Sequence, residues 1–107
     1  AAPELATEDY ILLADAREAF WRRDLATSAS IYERLIAVYP THADLLGEYG
    51  NLLMQSRRFN EAVDVYEETA YLLIEQKRYS DVHPLIGFIG KIDRERAMQI
   101  FSKIQDK

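Results

Sequence analysis

In the stretch "SASIYERLIAVYP", residues 28–40, large apolar side chains fall at Ile31, Tyr32, Leu35, Ile36 and Tyr39. Such intervals return a side chain to one face of a helix, so this stretch predicts an amphipathic α-helix. Pro40 closes it, because proline disfavours helical geometry in the residue before it. The same reading along the chain predicts six helices and an all-α fold. No alternation of period two persists, and clusters of Val, Ile and Thr are absent. The first helix is expected from an N-cap at Thr7 to about Arg22, with Glu8 and Asp9 in its first turn. The second is expected from about Ala26 to Tyr39. Thr41 with Asp44 reads as a capping-box-like start for the third, and Asn60, Ser80 and Asp93 as caps of the fourth, fifth and sixth. "YLLIEQKRY" stays helical in pattern, which makes the fourth helix long, and Pro84 falls in the first turn of the fifth.

The pattern also repeats. Leu12 and Leu46, Ala16 and Gly50, Leu25 and Phe59, Ser28 and Ala62, Ile31 and Val65, and Tyr32 and Tyr66 are each 34 apart. A third copy follows at 35, pairing Ala62 with Ala97, Val65 with Ile100 and Tyr66 with Phe101. Self-similarity of this kind signals units that bury their apolar faces against neighbours. Tyr32 and Tyr66 are therefore expected to be buried beside the small Ala16 and Gly50, where paired helices approach to about 8–10 Å. Glycine inside a helix costs roughly 1 kcal/mol relative to alanine, so Gly50 calls for a packing reason. Gly87 and Gly90, in "GFIGKI", are assigned the same close packing.

These positions resemble the tetratricopeptide repeat, a 34-residue helix-turn-helix unit. Repeat one (about residues 9–42) supplies Leu12, Ala16, Ser28, Tyr32 and Pro40; repeat two (43–76) supplies Leu46, Tyr49, Gly50, Ala62 and Tyr66; repeat three (about 78–107) supplies Ala97 and Phe101. Ile74 stands where the second repeat would carry proline. The resemblance implies a right-handed α-solenoid of three helix pairs over residues 7–107, with residues 1–6 a linker or chain end. Asp15, at a position usually apolar in the family, marks the start of the stack. The resemblance further implies a concave groove for a peptide or helix of a partner protein. Its carried-over positions are Tyr10, Leu13, Arg17 and Trp21 in the first repeat, and Asp44, Glu48, Asn51 and Gln55 in the second. The family's clamp for acidic chaperone tails is absent, since Leu13, Arg17 and Glu48 replace the Lys and Asn residues it needs.

Composition narrows the function. The 107 residues carry a formal net charge of -5 and no cysteine. Disulfides, thiolate zinc sites and cysteine nucleophiles are excluded, and an acidic surface disfavours nucleic acid. No apolar stretch approaches the roughly 20 residues of a spanning helix, so no membrane insertion by this segment is expected. The opening "AAPELATEDY" lacks the regions of an intact signal peptide and reads as the end of a linker. His42 and His83 lie far apart without metal spacing and read as surface residues. Adjacent Glu67 and Glu68 point about 100° apart and cannot act as an acid/base pair. With Glu61, Asp64 and Glu75 they read as a solvated acidic face. The pairs Arg22-Arg23, Arg57-Arg58 and Lys77-Arg78 fall at turns, where they complement helix C-termini.

The expectation is thus a non-catalytic protein-interaction module without cofactor or metal. Asn51 and Gln55 would bond a peptide backbone, Arg17 a carboxylate, and Trp21 would supply the apolar anchor. The setting expected is the cytoplasm or periplasm, as the soluble domain of a bacterial membrane-anchored or envelope protein. The alternative is a homodimerising module that pairs through Met98, Phe101 and Ile104 of the sixth helix.

Overall fold

Six α-helices carry residues 4–105, which the computed structural model describes. They are α1 (Thr7–Trp21), α2 (Leu25–Val38), α3 (Ala43–Gln55), α4 (Phe59–Glu75), α5 (His83–Gly90) and α6 (Arg94–Gln105). A 3₁₀ turn at Tyr79–Asp81 precedes α5, and no strand occurs among the described residues. The fold is all-α, with α4 the longest helix at 17 residues.

Three of the turns share one construction. Arg23, Arg57 and Lys77 adopt φ of 65°, 61° and 60°, the left-handed conformation that commonly ends a helix. After α1, the Arg23 amide donates to the Phe20 carbonyl and the Asp24 amide to the Ala19 carbonyl. Arg57 and Arg58 repeat this on Met54 and Leu53, and Lys77 and Arg78 repeat it on Ile74 and Leu73. The residue after each left-handed position then serves as N-cap of the next helical element, so Asp24 opens α2, Arg58 opens α4 and Arg78 opens the 3₁₀ turn.

This construction corrects several expected caps. Asn60 does not cap α4, because the preceding turn is already closed at Arg58 and Asn60 lies in the first helical turn. Ser80 lies within the 3₁₀ turn, and α5 begins after Val82 with Pro84 in its first turn. Thr7 is the first residue of α1, whose N-cap is Ala6 with no side-chain bond. α3 is capped by His42 instead of a Thr41 capping box: its Nδ1 accepts from the Leu45 amide at 3.3 Å. Asp93 does serve α6, accepting from the Arg96 amide at 3.1 Å.

Successive helices run antiparallel, and polar side chains record their registers. Ser28 Oγ on α2 donates to the Ala16 carbonyl of α1 at 2.8 Å, and Tyr39 OH donates to Asp9 at 2.6 Å. Between α2 and α3, Tyr32 OH donates to Glu48 and Tyr49 OH to Glu33. Between α3 and α4, Tyr66 OH donates to Asn51 Oδ1 at 2.6 Å. The core has two buried clusters. One holds Ala16, Tyr32, Leu35, Leu45 and Leu52; the other holds Leu53, Ala62, Tyr66, Leu73, Ile89 and Ile100. Half-buried Tyr49 packs against both.

Gly50 meets its expectation. A Cβ there would lie 2.7 Å from Tyr66 Cε1, so only glycine admits the ring. Gly87 does not: it is exposed, and an added Cβ would meet nothing within 4 Å. Gly90 falls between these, 3.6 Å from the Ala97 Cβ in ordinary contact.

Candidate protein-binding surface

The exposed flanks of α1 and α3 hold most of the residues expected to line a groove. Arg17 donates from Nε to Glu48 Oε1 at 2.9 Å and from a terminal nitrogen to Oε2 at 2.6 Å. Glu48 also accepts from Tyr32 OH at 2.8 Å. The carboxylate holds the Arg17 guanidinium above its ordinary pKa, and burial, then the bond to Glu48, pushes the Tyr32 phenol up. Arg17 is thus paired within the molecule, on a side chain that is half exposed.

The rest of the row is committed in the same way. Asn51 Oδ1 accepts from Tyr66, and Asp44 pairs with Arg78 at 2.9 Å. Gln55 Oε1 lies 3.4 Å from both terminal nitrogens of Arg23. Tyr10 OH donates to Glu4, which raises the Tyr10 pKa. Leu13 is 6% exposed and belongs to the core, so it offers a groove little beyond a floor. Asn51 and Asp44 tie neighbouring elements together, while the amide nitrogens of Asn51 and Gln55 make no bond among the described residues.

Trp21 is the exception. Its side chain is 81% exposed at the end of α1, with its ring edge-on to Phe20 at 6.5 Å between centroids. Phe20, Trp21 and Tyr32 wall a shallow pocket completed by Arg17, Glu48 and Asn51. Arg17, Glu48 and Tyr32 bond one another, and Asn51 accepts from Tyr66 outside the pocket with its amide donors left over. Sequence reasoning singled out Trp21 but missed Phe20 and took Tyr32 as core alone. Phe20 lies three residues after Arg17, a spacing that puts both on one flank of α1.

Elsewhere, two expectations are corrected. The acidic face of α4 is not simply solvated: Arg96 of α6 bonds Asp64 at 2.9 Å and Glu67 at 2.8 Å, and Arg58 pairs with Glu61. Nor is α6 broadly apolar outside. Met98 is 58% exposed, but Phe101 is half-buried and Ile104 packs against the second core cluster, so one of the three residues proposed for self-association remains well exposed. Both histidines were expected at the surface; His83 is exposed, while His42 is half-buried as a helix cap. Among the described residues, no group of three or more His, Asp or Glu is placed to hold a metal. No helix among them is long and apolar enough to cross a membrane.

No family model matches the chain. Two curated relatives do. A secreted RxLR effector protein of Plasmopara halstedii is 33% identical over 46 residues, covering 43% of this chain and 14% of the relative. An RxLR effector protein of Phytophthora infestans is 31% identical over 65 residues, covering 61% of this chain and 18% of the relative. The chain thus spans less than a fifth of either relative's length. The tetratricopeptide assignment does not stand. The similarity points instead to oomycete effector proteins, which also corrects the expected bacterial source. The misleading resemblance has a physical origin: helices that approach closely favour small residues opposite large rings, as at Gly50 and Tyr66.

Proposed function

We propose that this chain is a non-catalytic protein-binding module whose contact surface is the aromatic pocket at the end of α1. One observation carries the reading. The single tryptophan stands 81% exposed beside a pocket in which Arg17, Glu48 and Tyr32 are bonded to one another. Exposing an indole to water forfeits apolar burial, about 25 cal/mol per Å². Tryptophan is also among the residues that dominate binding hot spots. The occupant proposed is an apolar side chain on an extended or helical segment of a partner. Asn51 in its lining, and Gln55 one helical turn further along α3, retain donor groups for its backbone.

We further propose that the three hairpins stack as a short right-handed solenoid. Arg17 pairs with Glu48 and Arg23 meets Gln55 at separations of 31 and 32 residues, and Arg96 meets Asp64 at 32. Such constant offsets support one stacking step used more than once. The relatives are named as effectors, one of them secreted. A binding segment within a longer effector fits that company.

The test uses Trp21 as its own reporter. Peptides selected from a displayed library against the chain are titrated by Trp21 emission, which should shift to the blue as the indole is covered. Calorimetry on Trp21→Ala, checked for folding by circular dichroism, should show at least a ten-fold loss, about 1.4 kcal/mol. Selected peptides that bind folded Trp21→Ala unchanged would remove the pocket from the reading.

A further inference from the structure

The edge beside this pocket has a charge of its own. The α1–α2 and α3–α4 turns lie side by side, with Arg23 of the first reaching Gln55 at the end of α3. Exposed along this edge are Trp21, Arg23, Arg57 and Phe59. Their cationic neighbours are already committed, Arg22 to Glu18 and Arg58 to Glu61. Asp24, an exposed acid on this edge, accepts from the Thr27 amide and keeps its charge. Among the described residues, Arg57 makes no ion pair, and Arg23 has only its long contacts to neutral Gln55. Of the four arginines that make no ion pair among the described residues (Arg23, Arg34, Arg57 and Arg94), Arg23 and Arg57 lie at these two turns, close in sequence to the exposed Trp21 and Phe59.

The backbone makes this placement notable. Arg23 and Arg57 both occupy left-handed positions, with φ of 65° and 61°. Glycine is the usual occupant there, because a β-carbon crowds the following carbonyl. All three such positions here carry a basic residue, Lys77 being the third, and each sits at a helix C-terminus, where a cation is favourable.

We propose that this edge docks an acidic segment of a partner protein. Carboxylates would engage the forks of Arg23 and Arg57 in two-pronged bonds, and an apolar side chain would sit against Trp21 and Phe59. The inference rests on the Trp21 reading for its anchor and adds the chemical class of the partner. A nucleic acid fits less well. Its charges recur every ~1.7 Å along the duplex and continue beyond the site, onto a molecule that is acidic overall, whereas a short acidic segment ends where the cations end.

Three probes separate these cases: a synthetic peptide of about a dozen Glu and Asp residues around a central Leu-Phe, its Gln/Asn counterpart, and a single-stranded oligothymidylate of similar length. Each is titrated calorimetrically against the wild-type chain, Arg23→Gly/Arg57→Gly and Trp21→Ala. The double glycine variant removes both cations while relieving both left-handed positions, so it should melt no lower than wild type. The acidic peptide should bind wild type at least ten-fold more tightly than its neutral counterpart, weaken as salt rises, and lose at least ten-fold on the double variant. No binding of the acidic peptide, equal binding of the two peptides, tighter binding of the oligonucleotide, or unchanged binding by the double variant would each overturn the proposal. Trp21→Ala distinguishes the two readings: if it binds the acidic peptide as wild type does while the double variant does not, the pocket reading fails and the acidic-segment reading stands.

Discussion

Gly50 and Tyr66 fit together without room for another atom: a β-carbon on Gly50 would sit 2.7 Å and 2.8 Å from two ring carbons of Tyr66. The ring has no easy retreat. It is 2% exposed, and its hydroxyl is held by Asn51 at 2.6 Å. Gly50→Ala should therefore destabilise the chain by about 1–3 kcal/mol through overpacking. Gly87→Ala should instead stabilise by up to about 1 kcal/mol, because space is open there and alanine is the better helix former. Urea midpoints of the two variants on either side of wild type are the expected result; a near-zero effect at Gly50 would contradict the packing described.

His42 caps α3 through Nδ1, which must carry a lone pair to accept the Leu45 amide. His42→Ala should cost about 1 kcal/mol, within the usual range for a lost N-cap. His42→Asp restores an acceptor and adds a favourable charge at the helix N-terminus. Thermal melts should place it at or above wild type, and well above His42→Ala.

Lys77 holds a left-handed conformation at the end of α4, with φ of 60°. Replacing it by glycine relieves the β-carbon and should stabilise by up to about 1 kcal/mol, less what glycine adds to the freedom of the unfolded chain. A clear loss in the melting temperature of Lys77→Gly would show that the Lys77 side chain contributes more than its backbone strain costs.

Arg96 ties α6 to α4 through Asp64 and Glu67. Arg96→Ala should cost about 1 kcal/mol, toward the upper end for surface pairs because one cation serves two acids and Glu67 is largely covered. Hydrogen exchange should show the loss concentrated in the amides of α6, whereas a uniform change over all helices would argue against a local tie.

Burial pushes the Tyr66 phenol from 10.0 up to about 12, and Tyr32 is raised as well. A group with a raised folded-state pKa contributes its full stability below the unfolded value and loses it as pH climbs through the folded one. Stability should hold to about pH 10 and then fall toward pH 12. Tyrosinate absorbance followed alongside circular dichroism should show the last tyrosines ionising together with unfolding. Ionisation of all seven tyrosines below pH 11 with the helices intact would contradict the burial of Tyr32 and Tyr66.

The helical pattern was legible because period and punctuation are local. The stripe from Ile31 to Tyr39, the stop at Pro40 and the small residue at Gly50 each state a constraint that any all-α packing of this chain must meet. Cap identities were less legible, because a left-handed residue such as Arg57 shifts the start of the next helix by a residue or two, and arginine at that position carries no local signature.

By itself, the sequence determined six helices, their approximate ends, and the burial of Tyr32 and Tyr66 against small neighbours. The tertiary structure decided which surface groups are available. Arg17, Glu48, Asn51 and Asp44 all lie where a groove would expose them, yet each is bonded across to a neighbouring helix or turn. Trp21, Arg23 and Arg57 end beside turns, where no neighbouring helix meets them with a matching charge. Whether a polar side chain is spent or available depends on what packs 31 to 34 residues away, and spacing along one chain records the repeat without recording which groups meet across it.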